Sequence, residues 1–250
     1  MRMDPVLLVA VAIVGVVASF IGATVGGVGL ITIPSLMFLG FSAKSAIATH
    51  IFGSLGMTGC FYKFHQSRKI DYGVGIPITI AACVGAYLGA KALLEVSEEI
   101  LVKLLGIVLL VLLFMIVLDR KGRGVKKRQK PGKERELLGY LAFMVVGFWR
   151  AFVSAGFAIF STYVLVLMYR KTFLQSAGTK LLVLFVTGLI TLAIYSGNGL
   201  VQWVPGLVLM LGMLVGSYAG ASYGLKKGDE WVKKVFIVIV LFASLGLLTG

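Results

Sequence analysis

Acidic residues and cysteines are both scarce in this chain of 250 residues. It has ten Asp and Glu against 24 Lys and Arg, and none of the ten lies within a long apolar run. The two cysteines, Cys60 and Cys83, lie in predicted apolar spans without a metal-type spacing, so they predict neither a structural disulfide nor a metal site. The sequence has no Walker motif, and no acidic residue accompanies a histidine within an apolar run, so it predicts neither an enzyme nor a cofactor.

Apolar residues dominate what is present. They make up 59% of the chain, and the mean hydropathy is +1.00. Such values, with apolar runs long enough to cross a bilayer, predict an all-α polytopic membrane protein embedded in lipid. Polar breaks divide the chain into ten segments: 5–22, 27–40, 45–63, 73–93, 100–118, 137–153, 156–169, 174–196, 200–224 and 232–249.

Segments 27–40 and 156–169 are short for a hydrocarbon core about 30 Å thick, which needs about 20 helical residues. Each follows the preceding segment after only a few small residues, without a charged connector. Two structures fit this pattern: two full crossings, or a re-entrant helical hairpin that turns inside the membrane. Backbone at such a turn has to be buried in protein or line a cavity.

The basic residues predict the orientation of the chain. If the stretch 119–136 is cytoplasmic, alternating segments place only four Lys and Arg outside, and Arg150 and Lys180 lie within the membrane. The remaining 18 then face the cytoplasm, as the positive-inside rule requires. We therefore expect a multi-pass protein of the cell membrane with both termini outside. The anionic inner leaflet accounts for the net charge of +14, so no nucleic-acid partner is predicted.

The two halves of the chain resemble each other. The stretch 84–90 matches 215–221 at an offset of 131 residues, and Thr49 matches Thr179 at an offset of 130. Because each half holds five segments, an odd number, the halves are predicted to be inverted repeats, 1–118 and 137–250, joined by the basic linker 119–136. Sites in such proteins lie near the midplane between the repeats. The sequence leaves open whether the protein forms a homo-oligomer.

Three basic side chains lie inside predicted segments, and an ionisable group at membrane depth indicates a functional site. Arg150 lies near the second hairpin turn, while His50 and Lys180 occupy matching positions in the two halves. An all-cationic set predicts a small anion as the substrate. The alternatives are that Arg150 extends to the interface or caps carbonyl groups, that Lys180 extends to the interface, and that His50 is a packing residue.

Small and hydroxyl residues complete the predicted binding site. A side-chain hydroxyl can donate to an oxyanion, although in membrane helices it more often bonds its own helix. Glycines at the turns allow a positive φ and expose backbone N–H groups, although glycines also serve close helix packing. The predicted substrate-binding residues beside the three basic ones are Thr49, Thr179, Gly26, Gly27, Gly29, Ser154 and Gly156.

Two sequence patterns resemble the TauE/SafE family of sulfite and organosulfonate permeases. They are the glycine-rich stretch 22–34, and the motif Ala46-Ile-Ala-Thr49 with its echo Ser176-Ala-Gly-Thr179. The resemblance implies a secondary transporter that moves sulfite, a sulfonate such as sulfoacetate, or thiosulfate by alternating access. The second turn, 154–160, has a single glycine, which departs from the family pattern. The alternatives are a permease for a non-sulfur organic anion or another small solute, and a non-transporting membrane subunit.

The predicted orientation can be tested by labelling a cysteine in the linker. A thiol introduced by Gln129→Cys should react with a membrane-impermeant maleimide only after the cells are opened, because the linker is expected to face the cytoplasm. The unsubstituted protein, which carries Cys60 and Cys83, is the background control. Labelling of the introduced cysteine in intact cells, whose membrane still excludes the maleimide, would contradict this orientation.

Overall fold

The fold is described by a computed structural model over residues 5–107 and 133–227, without the side chains of 24, 25 and 133. These residues contain helices and no strands, as expected from the sequence. The helices are α1 (Pro5–Val25), α2 (Val28–Phe38), α3 (Ala43–Gly53), α4 (Thr58–Gln66), α5 (Tyr72–Glu95), α6 (98–107), α7 (Lys133–Phe152), α8 (Phe157–Leu167), α9 (Phe173–Gly197) and α10 (Trp203–Lys227).

Eight of the ten predicted segments can be compared with these helices over their whole length. Segment 45–63 differs most, since a short 3₁₀ helix, Ser54–Met57, separates α3 from α4. Segment 137–153 is also longer than predicted, because α7 begins at Lys133 and takes in the end of the basic linker. Segment 232–249 and most of 100–118 and of the linker lie outside the described residues. In the part described, α1, α5, α9 and α10 are long and apolar enough to cross a membrane.

The second helix of each predicted hairpin is short. Helices α2 and α8 have 11 residues each, which at 1.5 Å per residue gives about 16 Å, half of a typical hydrocarbon core. Only Gly26 and Gly27 separate α1 from α2, and Val153–Gly156 separate α7 from α8. The second helix of each pair is therefore too short to cross a hydrocarbon core of that thickness.

Two helix pairs pack without side chains between their backbones. Helix α5 lies along α7, and a Cβ at Gly85 or Gly89 would overlap the carbonyl oxygens of Met144 or Phe148. Helix α10 lies along α1 in the same way, since a Cβ at Gly216 would overlap the Val16 carbonyl oxygen. Small residues permit this close approach of membrane helices, so these glycines serve helix packing.

The halves also share polar contacts at positions about 130 residues apart. The hydroxyl of Thr49 accepts a hydrogen bond from the backbone N–H of Gln202, just before α10, at 3.2 Å. In the other half the hydroxyl of Thr179 accepts from the backbone N–H of Asp71, just before α5, at 3.0 Å. Each threonine thus satisfies a backbone donor at the start of a long helix contributed by the opposite half.

Asp71 joins this contact to a second one. Its carboxylate forms an ion pair with Lys171 and accepts a hydrogen bond from the backbone N–H of Val74. Partial burial alone would raise the pKa of Asp71, but the hydrogen bonds and the Lys171 charge lower that pKa below its ordinary value. The pair ties the connection between α8 and α9 to the start of α5.

Because α5 packs closely against α7, a side chain added at Gly85 should destabilise the protein. The substitution Gly85→Val should lower the free energy of unfolding by about 2–3 kcal/mol, because its side chain meets the backbone of α7. We expect a melting temperature roughly 5 °C lower or more, measured in detergent by thermal unfolding.

Gly197→Ala is the control, since a Cβ there would have nothing within 4 Å. Equal melting temperatures for the two variants would show that α5 and α7 do not pack as described.

Candidate functional site

Two glycine turns meet in the middle of the helical bundle. Gly26 and Gly27 both have φ of 92°, and Gly156 has φ of 78°, which only glycine adopts without strain. A Cβ on Gly26 would lie 2.5 Å from the Cβ of Ala158, and one on Gly29 would lie 3.4 Å from the carbonyl oxygen of Ser154. The absence of these side chains lets the two hairpin turns approach each other, and a pocket forms beside them.

Arg150 lines this pocket and is 1% exposed. Its terminal nitrogens donate to two hydroxyls: Nη1 to Ser154 Oγ at 2.5 Å and Nη2 to Ser54 Oγ at 2.8 Å. The Phe157 ring lies 5.3 Å from its guanidinium carbon, within cation–π range. Its buried Nε has no hydrogen-bond partner among the described residues. These contacts hold the guanidinium in place and leave the Nε–H unused.

Lys180 supplies a second buried cation to the same pocket. Its Nζ donates to Thr162 Oγ1 at 3.1 Å and approaches the Ala158 carbonyl oxygen at 3.4 Å. The side chain is 4% exposed, so it does not extend to the interface. A Cβ on Gly26 would lie 3.1 Å from Nζ, which shows that the first turn covers the ammonium group.

His50 occupies the position in the first half that Lys180 occupies in the second. Its Nδ1 lies 2.6 Å from Thr32 Oγ1. Thr32 and Thr162 are 130 residues apart, as are His50 and Lys180. The halves therefore repeat one arrangement, in which a threonine of the short hairpin helix holds a basic side chain of the following helix.

The described lining of the pocket carries positive charge without an acidic residue. Arg150 and Lys180 are charged, His50 is basic, and no Asp or Glu takes part. The first residues of α2 and α8 also face the pocket, and the N-terminus of a helix attracts anions through its free N–H groups and dipole. Over residues 5–107 and 133–227 no group of His, Cys, Asp and Glu has the geometry to hold a metal ion. The arrangement suits a small anion.

Most of the residues predicted for the site lie together. The eight that line the pocket are Arg150, His50, Lys180, Gly26, Gly27, Gly29, Ser154 and Gly156. Thr49 and Thr179 were predicted to donate to the anion, but the structure places them elsewhere, with their hydroxyls on the starts of α10 and α5. Neighbouring residues of a helix point about 100° apart, so Thr49 and Thr179 cannot share the direction of His50 and Lys180.

The hydroxyls that hold the basic groups were not predicted from the sequence. Ser54, Thr32 and Thr162 bind Arg150, His50 and Lys180 respectively. A sequence pattern points to Thr32 and Thr162, because their positions differ by the same offset of 130 residues as His50 and Lys180. Ser54 lies four residues after His50, which places both on one face of a helix.

Comparison with known proteins gives one family. The profile of the family described as "Sulfite exporter TauE/SafE" matches residues 11–247. The chain is 26% identical over 250 residues to "Probable membrane transporter protein YfcA" of Escherichia coli (strain K12), covering 98% of this chain and 91% of that protein. It is 26% identical over 229 residues to a "Probable membrane transporter protein" of Haemophilus influenzae, covering 90% and 88%. No solved structure matches the chain significantly.

The contact between Gly26 and Lys180 can be tested with two variants of equal backbone strain. Gly26→Ala and Gly40→Ala both force alanine to φ of 92°, which costs about 1–2 kcal/mol. Only the methyl group at 26 meets Ala158 and the Lys180 ammonium, since a Cβ at Gly40 has nothing within 4 Å. We expect a lower melting temperature in detergent for Gly26→Ala than for Gly40→Ala, because the added methyl group overlaps the Ala158 side chain. Loss of stabilisation by a bound anion is expected in Gly26→Ala alone. Equal stabilisation of both variants would remove Gly26 from the site.

Proposed function

The chain belongs to the sulfite exporter TauE/SafE family of membrane transporters, and from that premise we propose that its substrate is a small sulfur-containing oxyanion. The candidates are sulfite, a sulfonate such as sulfoacetate, and thiosulfate. The anion binds in the pocket between the two glycine turns, where Arg150 and Lys180 balance its charge.

One observation carries this proposal: two buried cations face one pocket whose described lining includes no carboxylate. A buried charge is costly unless it is paired, and hydroxyls supply dipoles but no opposite charge. The Nε of Arg150 is buried without a hydrogen-bond partner among the described residues. A substrate anion therefore completes a set of interactions that the protein leaves incomplete.

The chemistry of the lining suits a small oxyanion, with or without a short carbon chain. Guanidinium and ammonium donors suit the several equivalent oxygens of a sulfite or sulfonate group. Leu181, Leu184 and Met57 lie on the apolar part of the lining and can contact a short carbon chain. A small sulfonate uses both parts of the pocket, and an inorganic oxyanion uses the polar part.

The matching contacts of the two halves support transport by alternating access. We take 1–118 and 137–250 as inverted repeats, with linker 119–136 in the cytoplasm and both termini outside. The two hairpin turns then reach the pocket from opposite sides of the membrane. Movement of one repeat against the other would open the pocket to each side in turn.

Uptake into proteoliposomes tests the proposal. Radiolabelled sulfite, sulfoacetate and sulfate are compared with an uncharged solute and with an organic anion that lacks sulfur. Transport of a sulfur oxyanion supports the proposal, and preference for the sulfur-free anion would replace its substrate class. Absence of transport and of anion-induced thermal stabilisation would favour a non-transporting subunit.

Neutralising Arg150 is the sharpest test of the site. Arg150→Gln should weaken anion binding by about ten- to a hundredfold, because a charge-assisted hydrogen bond contributes roughly 1.5–3 kcal/mol. Arg150→Lys should restore part of the affinity, since it returns the charge without the planar group that Ser54 and Ser154 hold. Binding is measured by isothermal titration calorimetry with the best-transported anion.

Lys103→Gln serves as the control, because it removes the same charge from an exposed side chain on α6. Its affinity should equal that of the wild type. Wild-type affinity in Arg150→Gln, with an unchanged melting temperature in the absence of the anion, would make Arg150 a structural residue.

A further inference from the structure

We propose that a proton on Nε2 of His50 binds together with the substrate anion, so that the protein couples anion movement to proton movement. This inference rests on the proposed function, since it concerns the same pocket. Three features carry it: the hydrogen bond that orients the imidazole, the position of its free nitrogen, and the charges around it.

Thr32 determines which nitrogen of His50 exchanges a proton. The Thr32 hydroxyl lies 2.9 Å from the Val28 carbonyl oxygen and 2.6 Å from His50 Nδ1. A carbonyl oxygen only accepts, so the single hydroxyl hydrogen points to Val28. Both contacts are then satisfied only if Nδ1 carries a hydrogen and donates it to Thr32. Nε2 is left as the atom that gains and loses a proton.

Nε2 points towards the place where the two hairpin turns meet. A Cβ on Gly29 would lie 3.2 Å from Nε2 and 3.4 Å from the carbonyl oxygen of Ser154, which belongs to the second turn. Both glycine turns and His50 line the pocket. A protonated Nε2 can therefore donate to an anion there, while a neutral Nε2 presents a lone pair and repels it.

Besides Lys180, the ionisable groups around His50 are either fixed in charge or already bound to a carbonyl oxygen. Helix α7 contributes Arg150 and α9 contributes Lys180, both of them cations, and the Tyr195 hydroxyl of α9 is bound to the Ala151 carbonyl oxygen. The Cys60 thiol of α4 donates to the Ala23 carbonyl oxygen.

Two further elements pack against α3. Helix α2 has no ionisable residue, and the ionisable residues of α10 begin at Tyr218, within its last three turns. Over the described residues, no carboxylate therefore faces His50.

Charge then couples the proton to the anion. Without an anion, a protonated His50 would be a third positive charge beside Arg150 and Lys180. Repulsion from those two cations opposes its protonation. A bound anion offsets those charges and accepts a hydrogen bond from Nε2–H, so anion and proton strengthen each other's binding. The coupling is reciprocal, because each ligand changes the affinity for the other by the same factor. The anion should bind more tightly at lower pH, by up to about tenfold per pH unit for one coupled proton.

The experiment counts protons during anion binding to the purified full-length protein. Calorimetric titrations are run near pH 7.5 in buffers of different ionisation enthalpy, with sulfate, thiosulfate and methanesulfonate as probes. These anions stay ionised at this pH, whereas sulfite takes up a proton itself. We expect an uptake approaching one proton per anion. Binding without proton uptake would overturn the inference and leave the proposed function intact, whereas absence of binding by any anion, including sulfite, would count against the proposed function.

Histidine variants then assign the proton. His50→Gln should bind the probe with no proton uptake and with an affinity that does not change between about pH 6 and pH 8. His65→Gln is the matched control, since His65 is the other histidine of the chain and its Nδ1 lies 2.8 Å from the Tyr72 hydroxyl on the exposed surface. It should keep the wild-type proton count. Uptake that persists in His50→Gln would assign the proton to another group, Lys180 first.

A flux measurement on the wild-type protein tests the coupling without any histidine variant. Proteoliposomes that enclose a pH-sensitive dye receive a gradient of the bound probe and a potassium ionophore that clamps the membrane potential. Coupled movement predicts that the lumen acidifies as the anion enters. Anion entry with constant luminal pH would contradict coupling even if His50→Gln fails to fold.

Discussion

Two cations buried beside one pocket impose the constraint on which the rest of the site depends. Arg150 and Lys180 have lost nearly all contact with solvent, and the described lining supplies no carboxylate to balance them. The protein instead surrounds them with hydroxyl oxygens, from Ser54 and Ser154 for one and Thr162 for the other. These dipoles orient the cations while leaving their net charge uncompensated. An anion is therefore bound by groups that are already in position, and little ordering free energy is lost on binding.

The pocket also restricts the backbone of the two turns beside it. Two turns can meet at the pocket only where side chains are absent, and a Cβ on Gly26 or Gly29 would reach Lys180 or His50 themselves. The second turn uses a different solution, since Ser154 adopts φ of 62°, which is strained for a residue with a side chain. Its hydroxyl is one of the two that hold Arg150. A glycine there would relieve the strain and remove a ligand of the guanidinium, which explains why this turn has fewer glycines than the first.

How much could be predicted from the sequence depends on the range of the interaction. Apolar runs and glycine clusters are local, and they predicted the helices, the short α2 and α8, and the position of Arg150 near a turn. The matching positions of His50 and Lys180 came from the repeat. The partners of side chains are not local. Thr49 and Thr179 were placed in the site because they adjoin His50 and Lys180, yet adjacent positions on a helix face different neighbours. The break at Ser54 was also missed, and there Gly56 of the 3₁₀ helix lies against the backbone of α10, a contact that local sequence does not reveal.

The two halves differ at one pair of equivalent positions in the pocket. In each half a threonine of the short hairpin helix binds the basic residue of the next helix. That residue is His50 in the first half and Lys180 in the second. In their unperturbed forms an ammonium group has a pKa of about 10.4 and an imidazole one of about 6.5. Under the proposed coupling, the first half therefore holds the exchangeable proton at a position where the second half holds a lysine. If the halves exchange conformations during transport, Arg150 keeps its charge in the pocket, since a guanidinium stays protonated, while the proton at His50 enters and leaves with the anion.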